Sequence, residues 1–250
     1  MKKEKQIVQN PLVEPAKALQ FDGQVPDVDH LNEVFTPLQY RERIHLLYAY
    51  FKEREVLVTS SFGANAAFLL FLLHQLRPTQ RVHFIDTTYH FRETLEYKRE
   101  LTERFNLTVV DVLPDLQQNA LTAEEQWWSA HPRLCCTINK VAPLEPVKAR
   151  HRVWLSGLMA YQTPFRAGLR VFEKQGEMLK FHPLIDLEEA EFLYQFSANE
   201  LPRHPLERLG YGSIGCTHCT EQGEGREGRW KGSGKTECGL HPGYFDRKTT

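Results

Sequence analysis

The chain lacks an excess of either charge. Its 31 basic and 32 acidic residues leave a formal net charge of −1, so no global field draws it to nucleic acid or to an anionic membrane. It also lacks a long apolar run, since no window approaches the roughly 18 consecutive apolar residues of a membrane span. The N-terminal stretch MKKEKQIVQNPLVEPAKALQ has no apolar h-region of the kind a secretory signal carries. The expectation is a cytoplasmic protein, whose thiols stay reduced. Cysteine is scarce, with five in the chain, and in that compartment it serves metal binding or catalysis more often than disulfide scaffolding.

What is present supports a sizeable core. Hydrophobic residues make up 41% of 250, enough for one large domain or one domain with an appendage. Residues 1–30 are polar and proline-containing and read as a lead-in. From Leu31 to Phe51, apolar residues recur at helical spacing. Val56–Ser60 reads as a buried strand, Phe62-Gly63-Ala64 as a turn, and AAFLLFLLHQL as a buried helix. Val82–Ile85 reads as a second strand, Phe91–Phe105 as a helix, and Leu107–Val112 as a third strand. This alternation predicts an α/β fold, a parallel sheet with helices on both faces. Ligands in such sheets sit beyond the carboxyl ends of the strands, where Ser60, Ser61, Gly63 and Asp86 fall. Pro143–His151 could continue as a helix, Arg152–Gly157 as a strand and turn, and the stretch after Leu184 as a helix. Beyond Arg208 glycine becomes dense, and residues 209–250 read as a loop-rich C-terminal tail.

The cysteines fall in three places. Cys135 and Cys136 are adjacent, Cys216 and Cys219 form a C-x-x-C pair, and Cys238 stands alone in Glu-Cys-Gly-Leu-His. Four thiols in two pairs suffice for one metal or iron–sulfur centre, and the fifth is a candidate nucleophile. A C-x-x-C alone fits a zinc ribbon or two buried thiols equally well. An adjacent pair is unusual around tetrahedral zinc and suits a [4Fe–4S] cluster better, because the cluster's irons lie on separate corners. A lone cysteine is often a buried structural thiol, but the polar, glycine-rich setting of Cys238 argues against that.

These stretches, together with Ser60-Ser61-Phe62-Gly63, Phe84-Ile85-Asp86-Thr87, Tyr89-His90-Phe91, Ile138-Asn139-Lys140-Val141 and Glu237–His241, resemble the assimilatory adenylylsulfate and phosphoadenylylsulfate reductase family, in its iron–sulfur cluster-bearing branch. The resemblance runs from about Val56 to His241. It implies an ATP pyrophosphatase-like, adenine nucleotide alpha hydrolase-like fold, with residues 31–208 as the nucleotide-binding reductase domain. It implies reduction of adenylylsulfate to sulfite and AMP through an S-sulfocysteine on Cys238, with thioredoxin or glutaredoxin as reductant. Cys135, Cys136, Cys216 and Cys219 would hold a [4Fe–4S] cluster. Ser60, Ser61 and Gly63 would cradle phosphate, Asp86 and Thr87 would border adenosine, and Lys140 would sit near both cluster and substrate anions. Arg166 would pair with phosphate or sulfate, some of Arg226, Arg229, Lys231 and Lys235 would clamp the sulfonucleotide, and His241 would tune the Cys238 thiol.

There is one departure. The family carries an arginine pair where this chain has Met159 and Ala160, so two cations expected to face the anion are missing. The 3′-phosphorylated substrate is the nearest alternative, and a non-catalytic iron–sulfur nucleotide sensor is another. A tRNA-thiolating pyrophosphatase would need a Ser-Gly-Gly-x-Asp-Ser loop, which this chain lacks. Monomer and homo-oligomer fit the sequence equally.

Overall fold

The structure is a computed structural model that describes residues 27–230 together with Glu237 and Leu240. Cys238, His241, Lys231, Lys235 and most of the polar lead-in lie outside the described residues.

The apolar stretch after Leu31 forms two helices, α1 (Val28–Phe35) and α2 (Tyr40–Tyr50). They part at Pro37, which has no N–H to continue the helix. Next come β1 (Val56–Ser60), α3 (Ala66–Leu76), β2 (Arg81–Ile85), α4 (Arg92–Arg104) and β3 (Thr108–Val112), in the expected alternation. Then α5 (Leu116–Glu124), α6 (Trp127–Ala130) and α7 (Pro132–Cys136) lead through a π turn, Thr137–Val141, into α8 (Ala142–Lys148). The second half adds β4 (Val153–Leu155), α9 (Pro164–Ala167), β5 (Phe172–Gln175), β6 (Met178–Phe181) and α10 (Glu189–Ala198). No helix among the described residues is long and apolar enough to cross a membrane.

The six strands form one sheet in the order β3-β2-β1-β4-β6-β5. All neighbours are parallel except β5, which pairs antiparallel with β6 at the edge. The β5–β6 hairpin closes on Gly176 at φ +59°, the left-handed region that a two-residue hairpin turn requires. Side chains alternate across the strands. Val56, Val58, Val153, Leu155 and Phe181 join the main core with α1, α2, α3 and α10. Leu57, Trp154 and Met178 face the other way and are covered by Leu144 of α8. Strand order reverses direction at β1, with β2 on one side and β4 on the other. The carboxyl ends there diverge and leave a crevice, where α/β sheets bind ligands.

Candidate active site

A cleft of ≈ 280 Å³ opens at that crevice. Its floor is the β1–α3 turn, with Ser60, Ser61 and Gly63 all on its wall. The turn is tight: Phe62 takes φ +49°, and its N–H donates to Ser60 Oγ at 3.1 Å. Phe62 turns its ring inward against Phe84 and is wholly buried, which leaves the two serines to the cleft. Asn65 caps α3 without a side-chain hydrogen bond, and Ala66 N–H is taken by the Gly63 carbonyl at 2.9 Å, so an anion would meet the helix N-terminus through the amides that follow Ala66.

Five cations line the cleft: Lys140, Arg166, Lys180, Arg226 and Arg229. No carboxylate is among its described lining residues. In a chain of net charge −1, that is a local concentration of positive charge facing a concave surface. Lys180 was not expected. It lies mid-strand in β6, only 2% exposed, with Nζ 4.3 Å over the Trp154 ring. A lysine inside the apolar run Met178–Phe181 was the available signal. Arg229 donates to the Ile214 carbonyl at 3.1 Å and to Ser213 Oγ at 3.3 Å, and its guanidinium stacks 4.2 Å from the Trp230 ring.

A second pocket adjoins the first. Cys135, Cys136, Cys216 and Cys219 all line it, with Thr87, Tyr89, Trp128, Asn139, Lys140, His218 and Trp230. The adjacent pair comes from the end of α7, and the C-x-x-C pair comes from a short turn that bridges to His90. The π turn after α7 brings Asn139 round to donate to the Cys135 carbonyl at 3.0 Å. It also sets Lys140 on the wall shared by both pockets. Among the described residues, no three Cys, His, Asp or Glu side chains converge on a single-ion site. The four thiols surround a space instead of meeting at a point.

The thiols differ in acidity. Burial, then the neighbouring Cys136, pushes the Cys135 thiol up to about 11. Burial also acts against ionisation of Cys216, but Lys140, a hydrogen bond from Thr87 and Arg229 outweigh it and hold that thiol below its ordinary value. Thr87 Oγ1 lies 3.3 Å from Cys216 Sγ.

Three of the expected residues are engaged by neighbours within the protein. Thr87 faces the thiols, and Asp86 is taken up by the Thr88 N–H at 2.8 Å; neither lines the cleft. Arg166 borders the cleft, but its guanidinium is held by Glu237, at 3.0 Å from Nε and 2.9 Å from Nη2. Met159 is 1% exposed within the main core. An arginine at 159 would point into hydrocarbon and not at an anion, so the methionine there takes no cation from the cleft.

The glycine-rich stretch 210–230 is irregular but closely knit. Gly212 donates to the Gly223 carbonyl at 3.0 Å, and Glu221 to that of Gly228 at 2.8 Å. A Cβ on Gly228 would lie 2.0 Å from the Glu221 carbonyl oxygen, so only glycine allows that approach.

Residues 55–222 match the phosphoadenosine phosphosulfate reductase domain. The chain is 38% identical over 198 residues to the adenosine 5′-phosphosulfate reductase of Bacillus cereus (strain 03BB102), covering 76% of this chain and 85% of that one. It is 37% identical over 196 residues to that of Bacillus mycoides (strain KBAB4), covering 75% and 84%. Its fold superimposes on the phosphoadenylyl-sulfate reductase of Candida auris with a TM-score of 0.68 at 23% identity, over 80% of this chain and all of that one. The FMN adenylyltransferase of Candida glabrata shares the fold more loosely, with a TM-score of 0.52 at 14% identity in its complex with FAD and pyrophosphate, over 83% of this chain and 71% of that one. The ATP pyrophosphatase-like α/β fold, the matched domain and the Bacillus relatives agree, and the chain belongs to the phosphoadenosine phosphosulfate reductase family.

Proposed function

We propose that this chain reduces adenylylsulfate to sulfite and AMP, with electrons from a protein dithiol of the thioredoxin or glutaredoxin kind. The observation that carries this reading is the cleft, lined by five cations and no carboxylate among its described residues. Such a site suits a nucleotide that ends in adjacent phosphate and sulfate groups, and the names of the Bacillus relatives supply the reaction. Residues 31–208 would form the nucleotide-binding body and 209–250 the segment that carries the C-x-x-C pair and Cys238.

In this reading the Ser60–Gly63 turn and the α3 amides after Ala66 hold the phosphate. Lys140 and Arg229 neutralise the charge on the phosphosulfate, and Lys180 adds a buried cation from β6. The Cys238 thiolate attacks the sulfonate sulfur, an S–S bond forms, and the S–O bond to phosphate breaks with its electron pair leaving on AMP. A reductant thiolate then attacks Cys238 Sγ and sulfite departs. The reductant's second thiol resolves the mixed disulfide and returns the Cys238 thiolate. Two electrons pass from dithiol to sulfur, so no other reductant is needed. His241 would keep the Cys238 thiol ionised.

Cys135, Cys136, Cys216 and Cys219 fit a [4Fe–4S] cluster by donor chemistry. All four are soft thiols, and they ring a pocket instead of converging on one ion. Cys135, with its thiol near 11, is the member that a bound metal would have to ionise. When bound, the cluster would shape the electrostatics beside Lys140 and would not serve as the electron source.

Sulfite release from adenylylsulfate and from its 3′-phosphorylated form, with thioredoxin and without oxygen, tests the reading. Adenylylsulfate should win in kcat/KM by about tenfold or more, since a 3′-phosphate needs a cation of its own. Release from neither nucleotide would overturn the assignment. Anaerobic protein should carry about four irons per chain with matching sulfide. Serine at any of the four positions should lose them, whereas Cys238→Ser should keep them. Stoichiometric zinc without sulfide would remove the cluster from the account.

A further inference from the structure

Glu237 directly precedes Cys238 and has no part in the reaction as described above. Its side chain is buried, 4% exposed, and its carboxylate accepts from three residues. Arg166 Nε donates to Oε1 at 3.0 Å and Nη2 to Oε2 at 2.9 Å. Thr163 Oγ1 donates to Oε1 at 2.9 Å, and Arg226 Nη2 to Oε2 at 3.2 Å. A buried carboxylate is costly to desolvate unless every lone pair finds a donor in good geometry; here a bidentate guanidinium fork, a second guanidinium and a hydroxyl supply them. Arg166 is itself only 6% exposed, so the cradle is part of the folded wall of the cleft and not a surface ion pair.

Two residues beyond Cys238 the chain is tied again. The Leu240 carbonyl accepts from Lys180 Nζ at 2.5 Å, and Leu240 packs against the group formed by Leu57, Ile85, Leu144, Trp154 and Met178. The residues described on either side of Cys238 in sequence are thus both fixed to the cleft, one by charge and one by apolar contact and a main-chain bond.

We infer that Glu237 is a positioning residue for sulfonate transfer. It docks the segment bearing Cys238 on the Arg166–Arg226–Thr163 cradle and makes no contact with the nucleotide. The inference rests on Cys238 being the nucleophile. The step it serves is the one above: an S–S bond forms at Cys238 as the S–O bond to phosphate breaks and AMP leaves with the electron pair. Glutamine at 237 would keep the shape but turn an N–H₂ group toward an arginine that can only donate.

The test separates binding from transfer. Full-length enzyme is mixed with adenylylsulfate without reductant, and growth of the sulfonate mass on Cys238 is timed in wild type, Glu237→Gln and Glu237→Asp. Nucleotide affinity is measured by calorimetry in Cys238→Ser, with and without Glu237→Gln. Glu237→Gln should slow adduct formation about tenfold or more while affinity stays within about twofold. Glu237→Asp keeps the charge with a shorter reach and should recover part of the rate; if the glutamine variant does not fold, the aspartate variant must still show a slowed transfer. Unchanged adduct rates, or an affinity that falls as far as the rate, would overturn the inference. Absence of any adduct on Cys238 in wild type would instead overturn the nucleophile assignment.

Discussion

The indole of Trp128 lies flat on the imidazole of His218, with ring centroids 3.8 Å apart and planes 9° from parallel. Tyr89 meets both rings edge-on at 5.5 Å. His218 sits between Cys216 and Cys219 in the chain, so this aromatic stack is the outer wall of the thiol pocket.

Removing the stack should open that wall. A stacked aromatic pair contributes about 0.5–1.5 kcal/mol beyond its buried area. Trp128→Ala should therefore shorten the half-life of the proposed cluster in air by roughly threefold or more, read as decay of visible absorbance. Trp128→Phe keeps a ring over His218 and should stay near wild type. Equal half-lives for wild type and the alanine variant would show that the wall does not shield the pocket.

Gly215 makes room for Arg229. A Cβ at Gly215 would lie 2.2 Å from Arg229 Nη2, so the guanidinium would have to give way. Gly215→Ala should push the guanidinium off Ser213 and Ile214 with little effect on the melting temperature. Losing one charge-assisted contact of about 1.5–3 kcal/mol raises KM for the sulfonucleotide by roughly tenfold or more. A fall in melting temperature with unchanged KM would contradict this.

Met159→Arg tests the departure from the family pattern. With Met159 packed in the main core, the new charge would lack a partner and destabilise the fold by about 2–4 kcal/mol. Urea denaturation measures this directly. Tighter nucleotide binding without loss of stability would mean that the position faces the ligand.

Two buried histidines make the fold acid-sensitive. Burial first, then Lys180 and Arg166, hold His182 down at about 3, and burial holds His204 at about 4. The unfolded chain takes up protons at these positions near 6.5, and the folded chain does not. Below that pH the unfolded state binds more protons, so stability falls as pH drops, and the loss continues down to the folded values. At pH 5 each residue should account for on the order of 2 kcal/mol. Unfolding curves at pH 7.5 and 5 should show a smaller drop for His204→Gln than for wild type. Identical drops would place the acid sensitivity elsewhere.

The sheet was legible where burial on both faces leaves a largely apolar run, as in Val56-Leu57-Val58 and in Val82–Ile85, broken only by the buried His83. The β5–β6 hairpin was not, because Glu173, Lys174 and Lys180 interrupt its pattern. Edge position explains the first two, and a place on the cleft wall explains the third. The four cysteines could be grouped by spacing and chemistry. No local pattern, however, could bring Thr87 to Cys216, 129 residues away, or Glu237 to Arg166, 71 residues away. Those pairings depend on which strand ends become neighbours, and the tertiary fold decides that.

The backbone-on-backbone packing of Gly212, Gly223 and Gly228 gives the segment after Leu209 an unusual evolutionary standing. Its described residues 210–230 have almost no regular secondary structure, yet a single added methyl at Gly228 would strike a main-chain oxygen. Surface loops usually absorb insertions and sequence drift. At Gly212, Gly223 and Gly228 this one would accept neither, and a substitution scan there should be as intolerant as in a buried strand.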